Sequence, residues 1–322
     1  MKKPVTPSLI TLPSELLASI FERLFQETIL AFGNFFPKQH RPLDVLLTCR
    51  QVYSETQSMV KRNITLYFAS TNLMLGKLLP MSADQRSEFR RIRVRGYPLP
   101  FHHIDDPDGA YTTFPFATAL DMLPGLQLDT LFVEDVYHDN DDGWGDGGAH
   151  CDVSSLICAR GWRQLLFYTP TSGILIWRNS DPQKAISWQQ QLNNEDGHSD
   201  GSVLLFKGAA TDTFVPAVPL RIKALDMLSR DEWECFKQSP EIFMPSSEDG
   251  PILVQNVEAL IPLREVKPIL VFATRTGRFQ QTGERCPKQV QEILDAFEGD
   301  WPRIRDESGL LLDAETDPNG HL

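Results

Sequence analysis

The sequence predicts a mixed α/β fold, with a helical module at the N-terminus followed by a curved, largely parallel sheet built from strand–helix repeats. Three observations predict it. Residues 12–27 and 43–62 carry apolar side chains at helical spacing. From residue 64 onward, short β-branched and aromatic runs take over. Those runs recur, beginning at residues 90, 128, 163 and 202, about 35–40 residues apart, with a helical stretch in each interval.

The first helix is LPSELLASIFERLFQE, residues 12–27. Pro13 suits a first turn, and Glu15 complements the positive end of the helix. Leu16, Leu17, Ile20, Phe21, Leu24 and Phe25 form one apolar stripe. AFGNFFPKQHRP (31–42), with Gly33, Pro37 and Pro42, reads as a loop or broken helix end. In the second helix, 43–62, the pattern puts Leu46, Cys49, Val52, Tyr53, Thr56 and Val60 on one face. Arg50, Gln51, Ser54, Glu55, Gln57 and Ser58 point away. ITLYFAS (64–70) is the first strand, and Ile92 and Val94 alternate inward in the next.

The repeated strands are 90–96, 128–135, 163–170 and 202–208; the helices between them are 114–124, 153–161 and 184–194. IKALDML (222–228) is a possible fifth strand. Strands joined through helices must run parallel, so the units predict a leucine-rich-repeat-like open sheet. Segments 101–112, 138–150 and 193–201 are Gly- and Asp-rich and read as loops along its rims. Beyond MPSSEDGP (244–251), a turn or linker, come a strand in 267–277 and a helix in 287–301. Pro287 opens that helix, and Val290, Ile293, Leu294 and Phe297 share a face. The tail, 316–322, is expected to fray. The resulting division is a helical module at 10–70, a repeat region at 71–243, and a C-terminal strand and helix at 244–322 packed on the repeats.

A net charge of −12 and a pI near 5.1 make nucleic acid and anionic membranes poor partners. The clear local exceptions are Lys61-Arg62 and the run Arg90, Arg91, Arg93 and Arg95. Cys49, Cys151, Cys158, Cys235 and Cys286 are odd in number and form no CxxC pair, which predicts free thiols in a reducing compartment. The early prolines leave no signal-peptide core, and no run is long enough to span a bilayer. A soluble cytoplasmic or nuclear protein is expected.

The residues predict no catalytic, cofactor or metal site. His150, Cys151 and Cys158 lack zinc-ligand spacing. Asp139, Asp141 and Asp142 precede Gly143, but a calcium loop in that register would begin at His138 and close at Ala149. His102, His103, Asp105, Asp106 and Asp108 lie in a Pro- and Gly-containing stretch without regular spacing. The glycines at 143, 145, 147 and 148 do not sit at a strand-to-helix turn, and no phosphate-loop, hydrolase or dinucleotide motif occurs. Cys49 has no neighbouring histidine.

Leu12, Pro13, Glu15 and Leu16 resemble the L-P-x-E-[LI] opening of an F-box. Leu46, Leu47, Cys49, Arg50, Val52, Tyr53 and Glu55 are similar to the second half of the F-box-like domains abundant in filamentous ascomycete fungi. GWRQLLFYTPTSG (161–173) and the acidic stretch at 196–203 also look like members of that group. In this chain a long segment separates the half-motifs, and Tyr53 stands near the place where a tryptophan is common. The resemblance implies a non-catalytic substrate receptor of an SCF-type cullin–RING ubiquitin ligase. Leu12, Pro13, Leu16 and Ile20 would bind the adaptor subunit, as an apolar helix face suits groove docking, and the repeats would recruit a protein substrate.

Trp144, Trp177 and Trp188 are candidate substrate contacts; ordinary packing competes, more strongly at Trp177 and Trp188. The rival reading is an interaction scaffold whose first helices only cap the sheet. An enzyme using His102, Asp105 and His150 is the remote alternative. Exposure of Leu12, Pro13, Leu16 and Ile20 discriminates the first two.

Overall fold

Helix α1, Ser14–Gln26, starts at Pro13, whose carbonyl accepts the amides of Leu16 and Leu17 at 3.1 Å. The computed structural model in which it is seen describes residues 12–26, 28–33, 43, 46, 50–103, 106–137, 145–170, 174, 188–196, 201–207, 269–276 and 281–307. The possible fifth strand at 222–228, the linker at 244–251 and the tail at 316–322 lie outside them, as does most of the 34–49 stretch.

After α1 come β1 (Ile29–Phe32), α2 (Arg50–Asn63), β2 (Thr65–Phe68), α3 (Thr71–Leu78), α4 (Ala83–Ser87) and β3 (Arg91–Arg95). A hairpin follows, β4 (Leu99–His103) and β5 (Asp106–Phe114), then α5 (Ala117–Asp121) and β6 (Leu128–Glu134). The chain continues through α6 (Gly145–Cys158), β7 (Trp162–Thr169), α7 (Trp188–Asp196), β8 (Ser202–Lys207) and β9 (Ile269–Thr274). Two helices close it, Lys288–Ala296 (α8) and Trp301–Glu307 (α9).

Among the described residues, seven strands form one sheet in the order β1-β2-β3-β6-β7-β9-β8. The first five are mutually parallel, and β9 runs antiparallel to both its neighbours. Each strand from β1 to β7 is added on the same side of the last. With right-handed crossovers, that progression puts the connecting helices on one face. The packing agrees. Leu66, Phe68, Ile92, Val94, Leu131, Val133, Leu165 and Phe167 alternate along the strands onto that face. They share one core with Phe21 of α1, Leu75 of α3, Leu120 of α5, Leu156 of α6 and Leu192 of α7. The opposite face carries the cross-strand row Tyr67, Arg93, Phe132, Leu166 and Phe272. There the Arg93 guanidinium lies 4.4 Å from the Phe132 ring centroid and ion-pairs with Glu134.

The mixed α/β class and the mostly parallel sheet match expectation, and five anticipated strands fall within a few residues of their predicted limits. Other expectations need correction. The stretch beginning at Ala31 is not loop from its first residue: the apolar run Ile29–Phe32 pairs as an edge strand with β2, and Gly33, at φ +121°, ends it. Segment 101–112 is largely hairpin rather than rim loop. Its β-forming ends decide this, with Phe101 and Phe114 packed edge to face at 5.9 Å. Helix α6 begins at Gly145, inside the glycine-rich segment and well before residue 153. Helix α7 runs on to Asp196, into the third expected loop. The 287–301 helix divides near Glu298 and Gly299, both at positive φ. Trp301 then anchors α9 by donating from Nε1 to Asn72 Oδ1 at 2.6 Å.

The sheet also crosses both expected boundaries. β2 pairs with β3 across residue 70, and β9 lies between β7 and β8 rather than on top of the repeats. β9 reads ILVFAT, with Leu270, Val271 and Ala273 buried, the composition of an interior strand.

Candidate protein-docking site

The apolar stripe of α1 is wider than the surface available to cover it, so the helix divides it. Leu17, Phe21 and Phe25, spaced by four, face the core, and the Phe21 and Phe25 rings stack with centroids 6.0 Å apart. Leu24 is half-buried against them. Leu16 and Ile20, one turn apart on the other side, are 53% and 45% exposed. Pro13 is exposed at the entrance to the helix, while Leu12 is half-buried and packs on the core.

Helix α2 packs against α1. Its inward residues are Val52, Thr56 and Val60, and Thr56 satisfies its hydroxyl by donating to the Val52 carbonyl at 2.6 Å. Arg50, Ser54 and Gln57 face solvent as the pattern predicts. Tyr53 departs from it: expected with the inner face, it is 50% exposed, because an i, i+1 neighbour of Val52 stands 100° around the helix. Cys49 lies outside the described residues.

Past its C-terminal end α1 is tied to the sheet, and the last turn of α2 to the segment before β3. Thr28 donates from Oγ1 to the Leu24 carbonyl at 2.7 Å, and its own carbonyl accepts the Thr65 amide at 3.0 Å. Lys61 of α2 ion-pairs with Glu88, just after α4. The outer side chains are therefore presented on a held scaffold. Among the described residues, the exposed large hydrophobics are Leu16, Ile20, Leu30 and Tyr53, all on α1, β1 and α2.

Of the tryptophans, Trp144 and Trp177 lie outside the described residues. Trp188 is a core residue. It donates from Nε1 to Ser154 Oγ at 2.9 Å, joining α7 to α6, and its ring lies 5.3 Å from that of His150. His150 itself sits on α6 with Nδ1 at 3.2 Å from the Ile174 carbonyl oxygen. His102 and His103 fall on β4, Asp106 and Asp108 on β5, and Asp105 outside the described residues. Among the described residues, no group of three or more His, Cys, Asp or Glu side chains could hold a metal ion. Cys151, Cys158 and Cys286 are free thiols; burial raises Cys158 and pushes Cys286 up to about 11.

The chain matches no family model, no curated protein and no solved structure. Among the described residues, no helix is long and apolar enough to cross a membrane.

Proposed function

We propose that the chain is a non-catalytic, F-box-like substrate receptor of an SCF-type ubiquitin ligase. The outer face of α1 binds the ligase adaptor, and the leucine-rich-repeat-like strand–helix body holds a protein substrate. The observation that carries this reading is the exposure of Pro13, Leu16 and Ile20 on a helix whose other side is buried. A helix serving only as a cap has no use for two large aliphatic side chains in water, whereas helix-in-groove docking needs adjacent anchors of this kind. The one-way progression of strands with helices on one face supports a repeat body. Leu12 fits the docking role least well, since part of its surface is already spent on the core.

The scaffold reading draws on the burial of Leu17, Phe21 and Phe25 in the core. Co-purification with the adaptor subunit separates the two. Capture by wild type, lost in Leu16→Ser/Ile20→Ser with an unchanged circular dichroism spectrum, supports the receptor. Failure of folded wild type to capture the adaptor leaves the scaffold.

A further inference from the structure

Arg62 of one basic run and Arg90 and Arg91 of the other meet at one place. The last turns of α1 and α2 meet the starts of β3, β6 and β7 around a cleft of about 860 Å³. Four guanidinium groups line it, those of Arg62, Arg90, Arg91 and Arg163, against two carboxylates, Glu22 and Asp129. The surplus of positive charge sits in a chain whose net charge is −12.

Arg62, Arg90 and Arg91 are not used up in holding the fold. Arg90 gives one nitrogen, Nη1, to the Gln127 carbonyl at 2.7 Å and approaches Gln127 Oε1 at 3.5 Å. Among the described residues the Arg62 and Arg91 side chains make no hydrogen bond or ion pair, and the charges of Asp129 and Glu22 reach Arg91 only across the cleft. Arg91 is half-buried, and burial lowers its affinity for its proton. Asp129 and Glu22 offset part of the cost of desolvating Arg91, and an anion placed between the guanidinium groups would offset more.

We propose that this cleft binds a small, multiply charged anion through the forked donors of Arg62, Arg90 and Arg91. Its volume falls in the range of small-ligand pockets, about 300–1,000 Å³. Met59 is its one large apolar lining residue, so charge rather than hydrophobic burial must supply the affinity. A long polyanion such as nucleic acid would meet a chain whose net charge is −12, whereas a compact anion needs only the cleft. The shared chemistry is several anionic oxygens within reach of planar guanidinium forks, and phosphate and carboxylate ligands both supply it. The cleft stands apart from the outer face of α1, and the inference does not depend on the ligase reading.

Titration calorimetry of the full chain at fixed ionic strength tests it, with pyrophosphate in one arm and citrate in the other. Saturable binding is expected, and the tighter arm identifies the oxygen chemistry. Arg91→Gln should weaken it by about tenfold or more, from the loss of a bidentate contact. Arg62→Gln, at an exposed position that the fold tolerates, should weaken it in the same direction, and Leu16→Ser/Ile20→Ser should leave it unchanged. Absence of saturable heat with folded wild type, or equal affinity in both arginine variants and wild type, would overturn the proposal.

Discussion

The two ends of the crossover series treat apolar surface differently. Around α5 and α6 the chain buries nearly everything it can: Ala117, Ala119, Leu120, Val153, Leu156 and Ile157 are all in the core. At α1 and α2 it buries one face and leaves Leu16, Ile20 and Tyr53 in solvent. Both regions share one sheet and one core, so the difference is not one of folding quality. Burying a Leu or Ile side chain is worth about 1.5–3 kcal/mol. At Leu16 and Ile20 that contribution is forgone.

The largest effect that would sharpen this contrast is on the inner face of α1. Phe21→Ala should cost about 3–5 kcal/mol in chemical denaturation, as a fully buried aromatic in the body would. A loss below about 1 kcal/mol would mean that the helix pair is loosely attached and that the contrast is one of order rather than purpose. In the body, Arg275→Ala should cost about 2–4 kcal/mol. Its buried guanidinium donates to the Ala159 and Ile157 carbonyls at the end of α6 and lies 4.1 Å from the Trp162 ring centroid. Burial lowers its pKa to about 10, so it remains charged at neutral pH and removal orphans both carbonyls.

A third test concerns pH. Asp152 of α6 is fully buried, accepts the Phe116 amide at 2.9 Å, and is pushed up to about 8, first by burial and then by the charge of Asp135. The folded state therefore holds a proton that the unfolded chain releases above about 4. The stabilisation is complete below about pH 4 and is lost as pH rises toward about 8. Asp152→Asn, which keeps an acceptor for Phe116, should flatten this slope by roughly 3–4 kcal/mol between pH 5 and 8. Equal slopes in variant and wild type would show Asp152 ionised in the fold. The smallest stability effect belongs to the outer face of α1. Leu16→Ser and Ile20→Ser should each change stability by less than about 0.5 kcal/mol. A larger loss would return both residues to a packing role and remove the contrast.

The strands after residue 64 were legible from their β-branched and aromatic runs, and in β3 from alternation, where Ile92 and Val94 stand out between arginines. β1 was hidden by its shortness and by the glycine that follows it. The hairpin was hidden because His102, His103, Asp106 and Asp108 are poor strand formers, held there by main-chain pairing that composition does not report. The helical spacing of α1 was plain, yet it did not say which part of a broad stripe would be covered. That depends on where the sheet ends. The two basic runs were visible too, but Arg163 joins them only through the pairing of β6 with β7, which no local pattern carries.

The position of β9 sets an order in time. Among the described residues β8 meets the sheet through β9 alone, yet residues 208–268 separate the two in the chain. During synthesis, β7 and β8 emerge first, point the same way and are joined through α7, so nothing in their geometry prevents them from pairing directly. That pairing would close the gap that β9 must fill. A nascent chain stopped before Ile269 would lose two strands from their native places rather than one, with the β7 edge open to whatever strand reaches it first.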